Sequence, residues 1–201
     1  MYRRFGKRGF DVVAAALLIA ALAPLMAMVA LAVRLALGRP VLFRQVRAGR
    51  HGAPFTLVKF RTLRDGAGED AQRMTRLGRA LRAVALDELP QLVNVLRGEM
   101  SLVGPRPLPT GYLPLFTRRQ ATRLAVRPGL AGLAQAAGRN AVPWEARLEL
   151  DARYAEAPPR LAGDLRLLLR CAALAVTGRG ATAPGHATMP ALERKTNITT
   201  G

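Results

Sequence analysis

Residues 12–33 read VVAAALLIAALAPLMAMVALAV, 22 residues without a charge, interrupted by one proline, Pro24. As a straight helix this run is about 33 Å long, close to the hydrocarbon thickness of a bilayer. Arg3, Arg4, Lys7 and Arg8 precede it, and Arg34, Arg39 and Arg44 follow. Basic flanks stay on the cytoplasmic side of a membrane, so both ends are expected on the same side. A straight span cannot satisfy that. A helix bent at Pro24 can, because proline removes a backbone hydrogen bond and clashes with the preceding turn. The freed carbonyls must then find partners inside the protein, and the alanines beside the bend permit close packing. The expectation is a re-entrant helix within residues 1–38, dipping into one leaflet. A kinked span and a buried core helix are the alternatives. A signal peptide is a poor reading, because the apolar run is long and a basic, strand-like segment follows it. Asp11, at the membrane edge, is expected to pair with Lys7 or Arg8 one turn earlier.

Outward from this run, the composition narrows the partners. The 201-residue chain carries 31 Lys and Arg against 13 Asp and Glu, a net charge of +18. Such a surplus suits polyanions: nucleic acid, anionic head groups or phosphorylated substrates. The apolar N-terminus argues against a nucleic-acid module. Cys171, the single cysteine, forms no internal disulfide, suits a reducing compartment and reads as a buried thiol. His51 and His186 stand alone at non-ligand spacing, which argues against a zinc site.

Residues 41–45 and 55–61 read as two short strands joined through Gly49 and Gly52, a β-hairpin. Lys59 and Arg61 share the strand face of Phe55 and Leu57, so Lys59 either looks into a site or snorkels. Residues 65–70 (DGAGED) read as a solvated loop. Residues 71–84 read as one basic helix whose Arg73, Arg76, Arg79 and Arg82 either meet phosphates or are solvated.

The chemistry concentrates in residues 86–107, LDELPQLVNVLRGEMSLVGPRP. Leu89, Leu92, Val93 and Leu96 have helical spacing and Gly98 is a natural stop. Pro90 is tolerated only in a first turn, so the helix should begin near Asp87. Asp87 and Glu88 are then either an ordinary N-cap and first-turn pair or an acidic site. A helix N-terminus keeps a carboxylate ionised and binds phosphate, and such a carboxylate can attack phosphorus. A divalent cation would hold both acids beside an incoming diphosphate. A short strand, residues 100–103, leads to Arg106, fixed between prolines as a phosphate grip or a surface arginine.

These residues, with VLFRQVRAGRHGAPFTLVKFRTL before them and RPGLAGLAQAAGRN after them, resemble the bacterial sugar transferases, the monotopic polyprenyl-phosphate phosphoglycosyl transferases in their minimal form. The resemblance runs from about Lys7 to about Leu169 through four motifs in the family's order. It implies transfer of a sugar-1-phosphate from a UDP-sugar to undecaprenyl phosphate, with UMP released, at the cytoplasmic face of the inner membrane. It also implies Mg²⁺, a helix bent at a proline matching Pro24, Asp87 as the nucleophile of a covalent phospho-sugar intermediate, Glu88 as its acidic partner and Arg106 on phosphate. Lys59 and Arg82 join Arg106 as candidate phosphate ligands, and Asp87 with Glu88 as candidate metal ligands. The family often has Ser-Pro at the bend and Ser or Thr before Leu-Asp-Glu, where this chain has Ala23-Pro24 and Ala85.

Toward the C-terminus, residues 127–132 (RPGLAG) are turn-rich and are expected to approach the nucleotide. Residues 144–157 read as a helix with mixed charge, with Trp144 expected in the core rather than at a membrane interface. Residues 161–176 read as an amphipathic helix, either interfacial or packed on the core. Residues 178–201 are expected to be a disordered tail. The expected fold is a membrane-associated, mostly helical α/β protein with a re-entrant helix, a short hairpin and amphipathic surface helices. Residues 39–177 form the expected cytoplasmic catalytic domain, and a homodimer stays open. The rival reading is a non-catalytic basic membrane adaptor, which explains the charge and the anchor but not the Asp-Glu helix start or the Pro-flanked arginine.

Overall fold

The long N-terminal helix α1 (Lys7–Leu37) runs through Pro24 without interruption and rests along one side of the remaining chain. The structure is a computed structural model and describes residues 6–178 together with Gly180, Ala191 and Leu192, so most of the expected tail lies outside the described residues. Asp11, Ala15, Val29 and Val33 form the buried stripe of α1, spaced about one or several helical turns apart. The opposite face is apolar and exposed, Leu17 at 65% and Leu35 at 78%. Exposed apolar surface on this scale marks a lipid or protein contact. A buried core helix is therefore not what the structure contains.

The two halves of α1 meet different clusters. Phe10, Ala14, Ala15 and Ile19 pack toward Leu92, Val95, Met100, Leu102 and Val103. Leu25, Met26, Val29, Ala30 and Val33 pack with Phe60, Leu77, Leu81 and Leu86. Exposed Pro24 lies between them. Both ends are fastened to the same body. Lys7 pairs with Asp164 at 2.8 Å, and Arg8 donates to the carbonyls of Val95 and Leu96 at 2.6 and 2.9 Å. At the other end the buried Arg61 guanidinium donates to the Leu37 and Arg39 carbonyls, a cation at a helix C-terminus.

Asp11 does not pair with Lys7 or Arg8. It is buried and accepts from the Ser101 hydroxyl and the Leu102 N–H, both at 3.0 Å. The reason is the small sheet beneath it. Strand β3 (Ser101–Val103) pairs on one side only, so the Leu102 N–H faces α1 and needs an acceptor.

The hairpin is present and longer than expected: Leu42–Ala48 pairs antiparallel with Pro54–Phe60, with Phe43 opposite Lys59 and Arg47 opposite Phe55. Asn94 joins it to the rest. Its side chain accepts from Val58 N–H at 3.2 Å and donates to the Thr56 carbonyl at 2.8 Å. Those are edge groups that the second strand leaves unpaired. The hairpin strands are β1 and β2.

The expected basic helix is two pieces, α2 (Asp70–Arg73) and α3 (Arg76–Ala83). Thr75 breaks it by capping α3, its side chain accepting from Gly78 N–H at 2.9 Å, a preference stronger than the charge pattern. The helix expected from Asp87 is a 3₁₀ turn over Leu86–Gln91 followed by α4 (Leu92–Arg97). Pro90 has no N–H for an α-helical bond, which suits the tighter turn. The buried face is Gln91, Leu92, Asn94 and Val95, with Leu96 exposed.

β3 pairs in parallel with β4 (Gly129–Ala131), a strand inside the RPGLAG segment, where proline and glycine predict turns. Glycine permits this contact: a Cβ on Gly129 would sit 2.1 Å from Gly104 N, and one on Gly104 2.4 Å from Arg127 O. After the single turn α5 (Arg118–Ala121) come α6 (Leu133–Gly138), α7 (Trp144–Glu156) and α8 (Leu161–Val176). α8 packs on the body by one face and leaves its other apolar residues exposed. Asp164, Leu167 and Leu168 face the body, and Leu165, Leu169 and Val176 are exposed.

Candidate functional site

A cavity of about 590 Å³ opens between the hairpin, the 3₁₀ turn, the Pro-flanked loop and helices α6–α8. Asp87, Glu88, Arg106, Lys59 and Arg82 all line it, so the structure brings together every residue singled out for chemistry. Pro24 belongs to α1 and not to the cavity.

The turn that presents the two acids pivots on Ala85, whose φ of 57° is left-handed. That conformation costs an alanine about 1–2 kcal/mol. The next residues wind into the 3₁₀ turn with Asp87 only 4% exposed and Glu88 beside it. Asp87 is therefore not the cap of an α-helix but lies inside the tighter turn.

The two carboxylates differ in their surroundings. Glu88 is gripped by both arms of Arg106, one bond of 3.2 Å and one shorter. Burial opposes its charge, but the Arg106 guanidinium outweighs that and holds its carboxyl below the usual range. Glu88 in turn raises Arg106 above the usual arginine value. Asp87 enters no ion pair among the described residues. Burial first and the Glu88 charge second push it up to about 6, against the pull of Lys59, Arg82 and Arg106. A like charge and burial away from water raise a carboxyl in this way. The result is a carboxylate that is ionised at neutral pH yet poorly solvated, the state suited to nucleophilic attack.

Cations surround the pair. Lys59 extends from β2 with its ammonium 5.4 Å from the Phe43 ring centre, and desolvation lowers its pKa. It looks into the site rather than snorkelling to solvent. Arg82 donates to the Thr62 hydroxyl at 2.9 Å. Arg139 donates to the Ala83 and Arg82 carbonyls at 2.8 and 2.9 Å, closing the end of α3 against the cavity. Arg76 and Arg79 are exposed and outside it, so the basic face divides: Arg73 and Arg82 reach the cavity, the other two do not. Arg47 and Arg147 line it too, and burial first and Arg106 second lower each to about 10.

Sequence reasoning missed Arg47, Tyr112, Gln135, Arg139 and Arg147 as cavity residues. A signal existed for Arg47: Phe43, Gln45 and Arg47 alternate on one strand face, opposite Lys59, Leu57 and Phe55. Cys171 and Trp144 were expected in the core, yet both line the cavity. Burial raises the Cys171 thiol.

A model of the bacterial sugar transferase family matches residues 2–178. The chain belongs to that family. This sugar transferase is 51% identical over 156 residues to the uncharacterized sugar transferase EpsL of Bacillus subtilis, a match covering 75% of this chain and 77% of the relative. It is 52% identical over 143 residues to the UDP-glucose:undecaprenyl-phosphate glucose-1-phosphate transferase of Caulobacter vibrioides, covering 66% of this chain and 54% of the relative. It is 33% identical over 201 residues to the undecaprenyl-phosphate galactose phosphotransferase of Salmonella typhimurium, covering 89% of this chain and 42% of that longer relative.

Among the described residues no three His, Cys, Asp or Glu side chains gather as a metal site. Mg²⁺, however, needs only one or two protein carboxylates where phosphates supply further oxygens. The Asp87 carboxylate is outside any ion pair among the described residues, and Glu88 keeps lone pairs beyond those Arg106 uses. The pair therefore fits a divalent ion held jointly with a diphosphate.

Proposed function

We propose that this sugar transferase moves a sugar-1-phosphate from a UDP-sugar to undecaprenyl phosphate through a covalent intermediate on Asp87. The observation that carries the reading is the asymmetry of the acidic pair: Glu88 is locked to Arg106, while Asp87 lies in the cavity with cations around it and, among the described residues, outside any ion pair. The relatives' activities, as their names give them, support the substrates.

An Asp87 carboxylate oxygen attacks the β-phosphorus. The bond from that phosphorus to the bridging oxygen breaks, and UMP leaves with the electron pair. An oxygen of the lipid phosphate then attacks the same phosphorus, the Asp87–phosphorus bond breaks, and the carboxylate is restored. Arg106, with Lys59 and Arg82, stabilises charge on the transferring group. Glu88 holds the Arg106 fork in place. Mg²⁺, bound by Asp87 and Glu88, would neutralise diphosphate charge.

The fastening of both α1 ends to one body supports a re-entrant helix bent about Pro24, with the exposed apolar face in the inner leaflet and the cavity at the cytoplasmic surface. The adaptor reading leaves the buried Asp87 and the cation-lined cavity unexplained.

The deciding experiment incubates the full chain with UDP-glucose or UDP-galactose and no lipid. Intact mass should rise by one phospho-sugar, mapped to Asp87 and absent in Asp87→Asn. No adduct with any UDP-sugar would overturn the covalent step. In a Cys171→Ala background, cysteines placed at Gly9 and Arg39 should react from the same side of the membrane. Reaction from opposite sides would overturn the topology.

A further inference from the structure

The cavity has an end that the phosphate chemistry leaves unused. Tyr112, in the 3₁₀ turn Thr110–Leu115, meets Trp144 edge to face, the ring centres 5.9 Å apart and the planes at 85°. The Arg147 guanidinium lies 5.0 Å from the Trp144 ring centre. Both rings line the cavity wall.

Strand register orders the residues along the cavity. On β1, Phe43 lies opposite Lys59, and Arg47 lies four residues farther along, roughly 13 Å at strand spacing. Beside Arg47, the Ala48 N–H donates to the Leu108 carbonyl at 2.9 Å, which ties that end of the strand to the loop carrying Arg106. Arg106 itself is held to Glu88, next to Asp87. The charges of Arg106 and Tyr112 both act on Arg47, and that of Arg106 acts on Arg147. Arg106 is thus the junction, with the reactive carboxylate on one side and Arg47, Arg147 and the two aromatic rings on the other.

A UDP-sugar has its own fixed order. The sugar is bonded to the β-phosphate, so with that phosphorus at Asp87 the sugar also lies near Asp87. The α-phosphate, ribose and base then follow beyond Arg106. The base is flat and uncharged and gains most from an aromatic surface. We infer that Trp144 and Tyr112 form the nucleobase subsite of the cavity, with Arg47 and Arg147 beside the adjoining phosphate and ribose. The inference rests on the proposed transfer for the donor's orientation.

Trp144 is the only tryptophan in the chain, so its emission reports this subsite alone. The full chain in detergent is titrated with UMP and with ribose 5-phosphate, which has the phosphate and sugar but no base. UMP should change the emission over the concentration range in which it inhibits turnover, and ribose 5-phosphate should bind more weakly. Trp144→Leu should shrink the preference for UMP over ribose 5-phosphate on the order of 10- to 100-fold, the usual loss of one stacking surface. The KM for undecaprenyl phosphate should stay unchanged. A purely structural role would weaken both ligands alike. Tyr112→Leu keeps the fluorophore, should act in the same direction by less, and covers the case in which Trp144→Leu fails to fold. UMP that inhibits without altering the emission, together with an unchanged preference in Tyr112→Leu, would overturn the inference. An Asp87 adduct formed alongside that result would leave the transfer reaction standing. UMP held at Trp144 without any adduct would retain the subsite and remove the reaction.

Discussion

Two sets of buried charge in this sugar transferase behave oppositely. At the foot of α1 each charge is answered: Lys7 by Asp164, Arg8 by two carbonyls, Asp11 by Ser101 and the Leu102 N–H. Around the cavity Arg47, Lys59, Arg82, Arg106, Arg139 and Arg147 face Asp87 and Glu88, and of those cations only Arg106 is ion-paired among the described residues. Balanced charge fixes the position of a helix. Surplus charge, kept in a partly desolvated cavity, leaves binding energy for a phosphorylated ligand that supplies the missing anions. Architecture and function thus separate by how completely each group is satisfied.

The sharpest way to break that contrast is to remove Asp87, the cavity carboxylate that enters no ion pair among the described residues. Asp87→Asn should lower turnover by roughly three orders of magnitude or more, as loss of a nucleophile does, measured as UMP release. The same variant should not be destabilised. Asp87 is raised from 3.8 to about 6 in the folded chain, so the folded state holds the proton longer than the unfolded state. Stability therefore falls as pH rises from about 4 through 6, and at pH 7–8 the asparagine should gain on the order of 2 kcal/mol in denaturant unfolding, a gain that vanishes below pH 4. A loss of stability at pH 8 would show that Asp87 belongs to the balanced set.

Arg106→Lys should cost roughly 100- to 1000-fold in kcat, because an ammonium cannot reproduce the two-armed bond to Glu88 and a planar phosphate grip. Retained turnover would make Arg106 a structural charge. On the balanced side, Asp11→Ala should leave chemistry intact and cost about 1–3 kcal/mol, the penalty for orphaning the buried Leu102 N–H. Next comes the acid limb of kcat/KM, which should fall about tenfold per pH unit below 6 as Asp87 takes up its proton. The smallest effect is expected at the pivot: Ala85→Gly should add about 1 kcal/mol by removing the left-handed penalty, and a loss instead would mean that the alanine methyl group packs usefully.

Strongly periodic or chemically distinctive segments were legible in the sequence. The apolar run of α1, the hairpin, α7 and α8 declare themselves by composition or spacing, and Asp87, Glu88 and Arg106 by their place among prolines and a helix start. Other features depended on distant partners. β4 is three residues long and exists because two glycines let it lie against β3. Asp11 looked like a local ion pair and is the acceptor for a strand 91 residues away. The basic helix broke where Thr75 offered a cap.

What the sequence by itself determined was the inventory: a membrane-seeking run with basic flanks, an acidic pair at an expected helix start, and cations enough for a diphosphate. Those are local properties, carried by neighbours in the chain. Only the tertiary structure decided which cations reach the cavity, that Glu88 and not Asp87 is tied to Arg106, and that Trp144 and Cys171 face the cavity rather than the core. Desolvation and ion pairing depend on groups brought together from tens of residues apart, and no spacing along the chain encodes those distances.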